Sequence, residues 1–380
     1  MKQNRKKYRL RGLVLPVLAA AMAAALMMQS DRVLPSVRGA LLLCYQAVVP
    51  SLFPFFVLTG IIIGGGAADC LARCLRPVMR PLFHVGGVGA LALVIGLISG
   101  YPMGASVIGS LYRSGKITQD EAERLLPFCN NSGPLFIIGA VGTGMLGSAQ
   151  IGLFLYGVHA AAALCVGLCF RNRRAAGRRR SMGGGAPTAA KQGGLMLISD
   201  SVTAAVRSIL TVCGYVIFFA AVTACVAPMA DRFLPPWVSL AVKGMLEVTN
   251  GVYLLAQSGV SDRVMLTAVS FCVGFGGLCV FLQAASMLAG SGLSMRSYAV
   301  GKLLHGVIAA VATFLFYPFF AQKFTAVFAP CDNSIPMSVP HARLGSGITA
   351  LCVAVAMVFL YITFKKRRKE FYYLANSTKK

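Results

Sequence analysis

Negative charge is scarce in this chain: 11 Asp and Glu stand against 36 Lys and Arg among 380 residues, and only 12% of residues are charged. A soluble domain carries roughly a quarter charged residues, so water cannot be the main solvent of this fold. Histidine is rarer still. The four, His84, His159, His305 and His341, are scattered and never stand in an H-E-x-x-H helix, which leaves a zinc hydrolase without its ligand pair. No G-x-x-x-x-G-K-[ST] loop and no G-x-S-x-G elbow occurs, so neither a single-chain ATP pump nor a serine hydrolase has its machinery here. The expectation is a protein that is not an enzyme and carries no cofactor and no metal.

What fills the sequence is apolar: 57% of residues are hydrophobic, in runs that reach the ~20 residues needed to cross a bilayer. The net charge of +25 would point to nucleic acid if it lay on one folded face, but the basic residues cluster between and beyond the apolar runs. Lys2, Arg5, Lys6, Lys7, Arg9 and Arg11 form the first cluster. Arg171, Arg173, Arg174, Arg178, Arg179, Arg180 and Lys191 form the second, and Lys365, Lys366, Arg367, Arg368 and Lys369 the third. That is the positive-inside pattern, so both tails and the middle cluster are expected in the cytoplasm, with no nucleic-acid partner. Of the 12 cysteines, most, such as Cys165, Cys213 and Cys272, fall inside apolar runs, where they serve as small packing residues.

Apolar periodicity and breakers divide the chain as follows. A signal anchor over residues 13–28 follows the basic tail, with A-x-A character that also fits a cleaved signal peptide. A span over 39–63 is kinked by Pro50 and Pro54, and a loop carrying Arg73, Arg76 and Arg80 comes next. Residues 88–111 form a span broken at Ser99-Gly100-Tyr101-Pro102, since two glycines and a proline cannot sustain a helix. Residues 125–146, interrupted by Asn130-Asn131-Ser132-Gly133-Pro134, read as a re-entrant hairpin, and 151–170 as a span. After the Gly-, Ala- and Arg-rich linker the order recurs: a span over 207–230, a broken span over 238–257, a hairpin over 264–288 and a span over 297–321. A last span over 345–364 precedes the basic tail. Phe128-Cys129 with Gly133 and Leu135 matches Phe271-Cys272 with Gly276 and Leu278 at the same spacing.

The fold class is therefore all-α: a polytopic membrane protein of about eight transmembrane helices plus two re-entrant helical hairpins in an inverted-topology repeat. Its parts are the tail and anchor (1–33), a first repeat (34–170), the basic linker (171–194), a second, inverted repeat (195–321), and an outer loop, last helix and tail (322–380).

Broken helices at the bilayer midplane expose backbone groups and helix-end dipoles to small polar solutes or ions. The candidate binding residues are those of the breaks: Ser99, Gly100, Tyr101 and Pro102; Asn130, Asn131, Ser132, Gly133 and Pro134; Glu247, Thr249 and Asn250; and Gly276. Glu247 leads, being the one acidic residue deep inside an apolar segment, where an ionised group must be paired or functional. The alternative is a salt bridge to Lys243 or Lys302. For Asn130 to Ser132 the alternative is a clamp on backbone freed by Pro134. His159 and His305 are expected to pack alone, and Gln46 and Gln283 to bond between helices.

At Ser51-Leu52-Phe53-Pro54-Phe55-Phe56, at Gly96-Leu97-Ile98-Ser99-Gly100-Tyr101-Pro102-Met103-Gly104-Ala105, and from Glu121-Ala122-Glu123-Arg124-Leu125-Leu126 into Asn130-Asn131-Ser132-Gly133-Pro134-Leu135-Phe136-Ile137-Ile138-Gly139, the sequence resembles the sporulation integral membrane proteins of the YlbJ type. The likeness runs from about Leu34 to the C-terminal tail. It implies a nucleoside-recognition or Gate domain, similar to parts of concentrative nucleoside transporters and of the ferrous-iron transporter membrane region. It also implies a role in endospore formation linked to the spore cortex. The Arg-rich linker and a looser second-half motif depart from the family pattern. The expected partners are the lipid bilayer and a small polar solute or ion, with cortex-assembly membrane proteins the partners of a non-transporting scaffold. An oligomer is compatible with the sequence.

Single cysteines placed in the 171–194 linker of a cysteine-depleted variant are expected to react only with reagent on the cytoplasmic side. Labelling confined to the outer face would refute the inverted-repeat topology.

Overall fold

A computed structural model describes residues 16–65, 67–172 and 194–324. The tails, most of the linker and the expected last span lie outside these residues. Every regular element among them is helical. Four helices are long and apolar enough to cross a bilayer, and six if each of two sharply bent pairs counts as one span.

Helix α1 (Pro16–Met28) turns through 98° into α2 (Ser30–Leu43). A π turn over Cys44–Val48 leads without interruption into α3 (Val49–Gly64). Pro50 removes one helical N–H and crowds the carbonyl four residues back. The wide turn just before it absorbs both effects. The stretch read from sequence as a loop is instead α4 (Ala67–Phe83). Ala72, Met79 and Phe83 are buried along one side, while Arg73, Arg76 and Arg80 are exposed. Its two prolines and three arginines disguise an amphipathic helix.

The two segments expected to be broken spans are hairpins. Helices α5 (Ala90–Ser99) and α6 (Met103–Arg113) have 10 and 11 residues, arms of about 15–17 Å, half the ~30 Å of a bilayer core. A Cβ on Gly96 would come within 3.3 Å of the Gly104 Cα; in a continuous helix those residues would stand ~12 Å apart, so the chain doubles back. Likewise α10 (Pro236–Leu246) folds onto α11 (Val248–Ala256), with the Gly251 Cβ position 2.2 Å from the Gly244 Cα.

Conversely, the segments expected to be hairpins run through. Helix α7 (Gln119–Cys129) starts at a capping box formed by Thr118 and Glu121 and gives way after 130–134 to a π helix over Leu135–Met145. Along α8 (Ala149–Phe170), Gly167 packs on Phe128, whereas Gly152 packs on Ile138 and Gly142. Gly152 and Gly167 are about 22 Å apart along α8. The two halves of the broken segment therefore lie end to end. In the second half, α12 (Asp262–Phe275) and α13 (Gly277–Met287) form one apolar stretch of 26 residues with left-handed Gly276 (φ 84°) at the join.

Helix α9 (Gly194–Phe233), 40 residues long, and α14 (Arg296–Phe324) complete the second half. Each half thus reads long helix, hairpin, broken span, straight span, which makes three crossings. An odd number inverts the second half. Matched elements do run antiparallel. Ser36 donates to the Ala220 carbonyl and Gly64 meets Leu197 between α2–α3 and α9; Phe154 stacks on Phe320 and His159 packs against His305 between α8 and α14. The ends also separate by charge. Arg113 reaches the Met287 carbonyl and Arg124 the Arg171 carbonyl, so the first hairpin opens on the basic end with α4 and the start of the linker.

Gly104 is closed in by neighbouring backbone: an added Cβ would sit 1.9 Å from the Cys129 carbonyl oxygen. Gly104→Ala is expected to destabilise the protein by about 3 kcal/mol or more. Gly157→Ala, with nothing within 4 Å of its Cβ position, should be neutral or stabilising by about 0.5–1 kcal/mol. Membrane abundance and thermal melting in detergent check both.

Candidate functional site

All four breaks converge. Backbone of the first hairpin tip touches backbone of the first broken span, because Gly100 (φ 87°) lies against Gly133 and a Cβ there would be 2.8 Å from the Gly133 nitrogen. In the second half Gly277 (φ 76°) lies under the carbonyls of Gly244, Met245 and Leu246 at the other tip. Side chains at these two glycines would hold the tips off the breaks, and a non-glycine residue would also be strained at this positive φ. The halves are then joined across the centre, where the Ser132 hydroxyl donates to the Val273 carbonyl.

Asn130, Asn131 and Ser132 are almost wholly buried, and much of what they do is to satisfy backbone. The Asn130 carbonyl oxygen Oδ1 accepts from the Ala105 N–H at the start of α6, and Asn131 Nδ2 donates to the Phe128 carbonyl. This is the clamp expected beside a proline, since an apolar medium offers freed groups no water. The clamp is incomplete. Asn131 Oδ1, Ser99 Oγ and His159 Nδ1 are buried without a hydrogen-bond partner, and each such group costs of the order of 1–3 kcal/mol.

Glu247 is buried and makes neither salt bridge expected as its alternative. Its two carboxylate oxygens cap α11, accepting from the backbone N–H groups of Thr249 and Asn250 at 2.9 and 2.8 Å, where the helix dipole favours negative charge. Lys243 is bonded to Asp231 instead, at 2.6 Å. The Tyr101 hydroxyl, buried and without a hydrogen-bond partner, lies in the same region as Ser132 and Glu247. Thr249 and Asn250 contribute backbone bonds, Pro102 and Pro134 shape the first and second breaks, and Gly276 supplies the left-handed turn of the fourth.

Four residues not singled out as site residues complete the centre. Tyr298, Lys302 and His305 lie on one face of α14, and His159 comes from α8. Asn130 Nδ2 donates to the Tyr298 hydroxyl at 2.8 Å, and Lys302 Nζ to the Asn130 carbonyl at 3.1 Å. Lys302 Nζ also lies 3.1 Å from His305 Nδ1, while His305 Nε2 bonds the His159 carbonyl at 3.0 Å. The Ser132 backbone N–H donates to His159 Nε2. The two rings expected to pack alone lie against each other, tilted by 34°, with centroids 4.4 Å apart. The i, i+4, i+7 spacing of Tyr298, Lys302 and His305 on an apolar helix was the available signal. Gln283, expected to bond between helices, donates to Cys279 on its own helix, and Gln46 is exposed.

Two re-entrant hairpins and two broken helices, meeting in a buried polar centre, define an all-α, polytopic integral membrane protein. Residues 46–169 match the family model described as nucleoside recognition, the Gate domain. The chain is also 31% identical over 373 residues, covering 88% of this chain and 90% of the relative, to the sporulation integral membrane protein YlbJ of Bacillus subtilis (strain 168). The chain belongs to the family of that sporulation membrane protein. No solved structure matches it.

Glu247→Gln is expected to lower stability by only about 1 kcal/mol, because the amide oxygen still caps α11 without the charge. Lys243→Met should remove no more than about 1 kcal/mol, since Asp231 is 57% exposed. The double variant should be additive, as the two residues share no contact. Melting of the three proteins checks this; a coupled pair would reveal itself by recovery in the double variant.

Proposed function

We propose that this chain is a secondary transporter for a small polar solute, nucleoside-like in chemistry, or an ion, and that it serves spore cortex formation in the membrane that surrounds the forespore. The observation that carries the reading is the buried centre with its unpartnered Asn131 Oδ1, Ser99 Oγ and His159 Nδ1. A merely structural core would satisfy or omit such groups, whereas a carrier needs donors and acceptors for a cargo that comes and goes. The acceptor Oδ1, the hydroxyl and the ring N–H suit the mixed donor and acceptor edge of a heterocycle. The printed name of the Gate domain, nucleoside recognition, supports the same class.

On this reading the two hairpins are the moving parts. Each has a short tip held by glycine packing and opens to one end of the molecule only, so their alternate displacement exposes the centre to one side at a time. The basic end, with Arg73, Arg76, Arg80 and Arg113, faces the cytoplasm by the positive-inside rule, and both tails do so too. The protein acts as a carrier without chemical catalysis.

Purified full-length protein in lipid vesicles is expected to accumulate at least one member of a panel of labelled nucleosides, amino acids and metal ions, well above protein-free vesicles. Ser132→Ala combined with Asn131→Leu should abolish that uptake while the protein still reaches the bilayer. No flux for any member would sink the transporter and favour a scaffold for cortex-assembly proteins.

A further inference from the structure

Lys302 is the most anomalous residue in the core. It is 2% exposed, in the second turn of the long apolar helix α14, and no carboxylate among the described residues pairs with it. The two buried carboxylates are engaged elsewhere: Glu123 accepts from the Ser294 N–H and from Gln119, and Glu247 caps α11. An uncompensated ammonium at that depth is expensive unless function requires it.

The environment of Nζ shows what holds it. Asn130 is the C-cap of α7, so its carbonyl lies at the negative end of the helix dipole, where the last carbonyls lack helical partners. That is the environment in which half-helix ends coordinate a coupling cation in transporters. Here a side-chain nitrogen occupies it. The second contact is with His305 Nδ1. Because His305 Nε2 must donate to the His159 carbonyl, Nδ1 of the neutral ring is bare and accepts from the ammonium. His159 is likewise neutral, since its Nε2 accepts from a backbone N–H.

We propose that Lys302 is a tethered coupling cation: its ammonium fills, at the carbonyl end of α7, the place a free sodium ion would take, so that proton gain and loss drives the transport cycle. This rests on the transporter reading above. In one state the protonated amine is held by Asn130 and His305 and joins α14 to the first break. In the other it gives one proton to water on the side then open, becomes a neutral amine and releases the Asn130 carbonyl. A proton taken from water on the opposite side restores the first state. The titratable groups facing it are His305 on its own helix and His159 on α8. Tyr298 bonds the same asparagine, α7 carries Asn130 and Cys129 at this level, and the Ser270 hydroxyl of α12 is paired with Thr313, about three turns along α14 from Lys302.

The test has two arms on full-length protein. In detergent, melting of the wild type should be indifferent to replacing sodium by choline at constant ionic strength. Lys302→Ala, with the amine removed, should gain a saturable rise of at least about 3 °C from sodium or methylammonium but none from choline. Lys302→Met, which refills the space without charge, should respond to neither. Sodium-specific stabilisation of the wild type, or an alanine variant that answers to no small cation, overturns the proposal. Should Lys302→Ala fail to fold, the wild-type comparison and the second arm still decide. In that arm, vesicles with a trapped pH dye receive a uridine or adenosine gradient. The expected result is a change of internal pH with wild-type protein and none with Lys302→Met, whose exchange of labelled for unlabelled nucleoside is slowed by the loss of one member of the centre but not abolished. Nucleoside flux without pH change overturns coupling through Lys302 alone. Absence of flux for nucleosides and for every other member of the solute panel, with the melting arm as expected, leaves the cation site intact but overturns its coupling role along with the transporter reading.

Discussion

Backbone that leaves helical geometry inside a bilayer has no water to bond, and every feature of this structure follows from how that debt is settled. Four breaks free about a dozen peptide groups, each of which would cost several kcal/mol alone in hydrocarbon. Burying them against one another is the available solution. The first hairpin tip lies on the first broken span through Gly100 and Gly133, and the second on its own broken span through Gly277. Asparagine and serine side chains then take the groups that backbone cannot reach. Packing of the surrounding helices is the consequence of holding these four points together.

The same constraint places polar chemistry at the centre. Glu247 is there because the second tip needs a cap, and Asn130 because α6 begins beside it with an N–H to satisfy. Once such residues are present, further neutral polar groups can join them at less added desolvation, as Tyr298 and the two histidines do. On the proposed function, structural repair and solute recognition draw on one set of side chains. The groups left over, rather than those paired, are what distinguish a binding centre from a clamp.

Much of this was legible in the residues. Breaks at 99–102, 130–134, 247 and 276 were readable from Gly, Pro and Asn in apolar runs, and the straight helices α8 and α14 from uninterrupted ones. Which broken segment turns back and which runs on was assigned in reverse, for an identifiable reason. Exchanging a hairpin with the neighbouring span preserves the number of crossings, so the linker stays on the same side and the charge bias alters only in short connections. The exchange carries Arg113, Lys116 and Arg124 to the basic end and moves only Arg263 away. A signal did exist: Gly96 with Gly104 and Gly244 with Gly251 flank the breaks that close, giving two helices room to touch, whereas Phe128 and Phe136 flank one that cannot.

Sequence alone therefore determined the solvent, the helical class, the duplication of the order of elements and the positions of the breaks. These depend on composition and local backbone chemistry, which a linear reading contains. Only the tertiary structure decided the path of the chain at each break, the pairing of Lys243 with Asp231, the use of Glu247 as a cap, and the meeting of His159 with His305. Each of these joins residues distant in the chain or chooses among partners of equal local merit, and that choice is made by which backbone groups end up near one another in a medium without water.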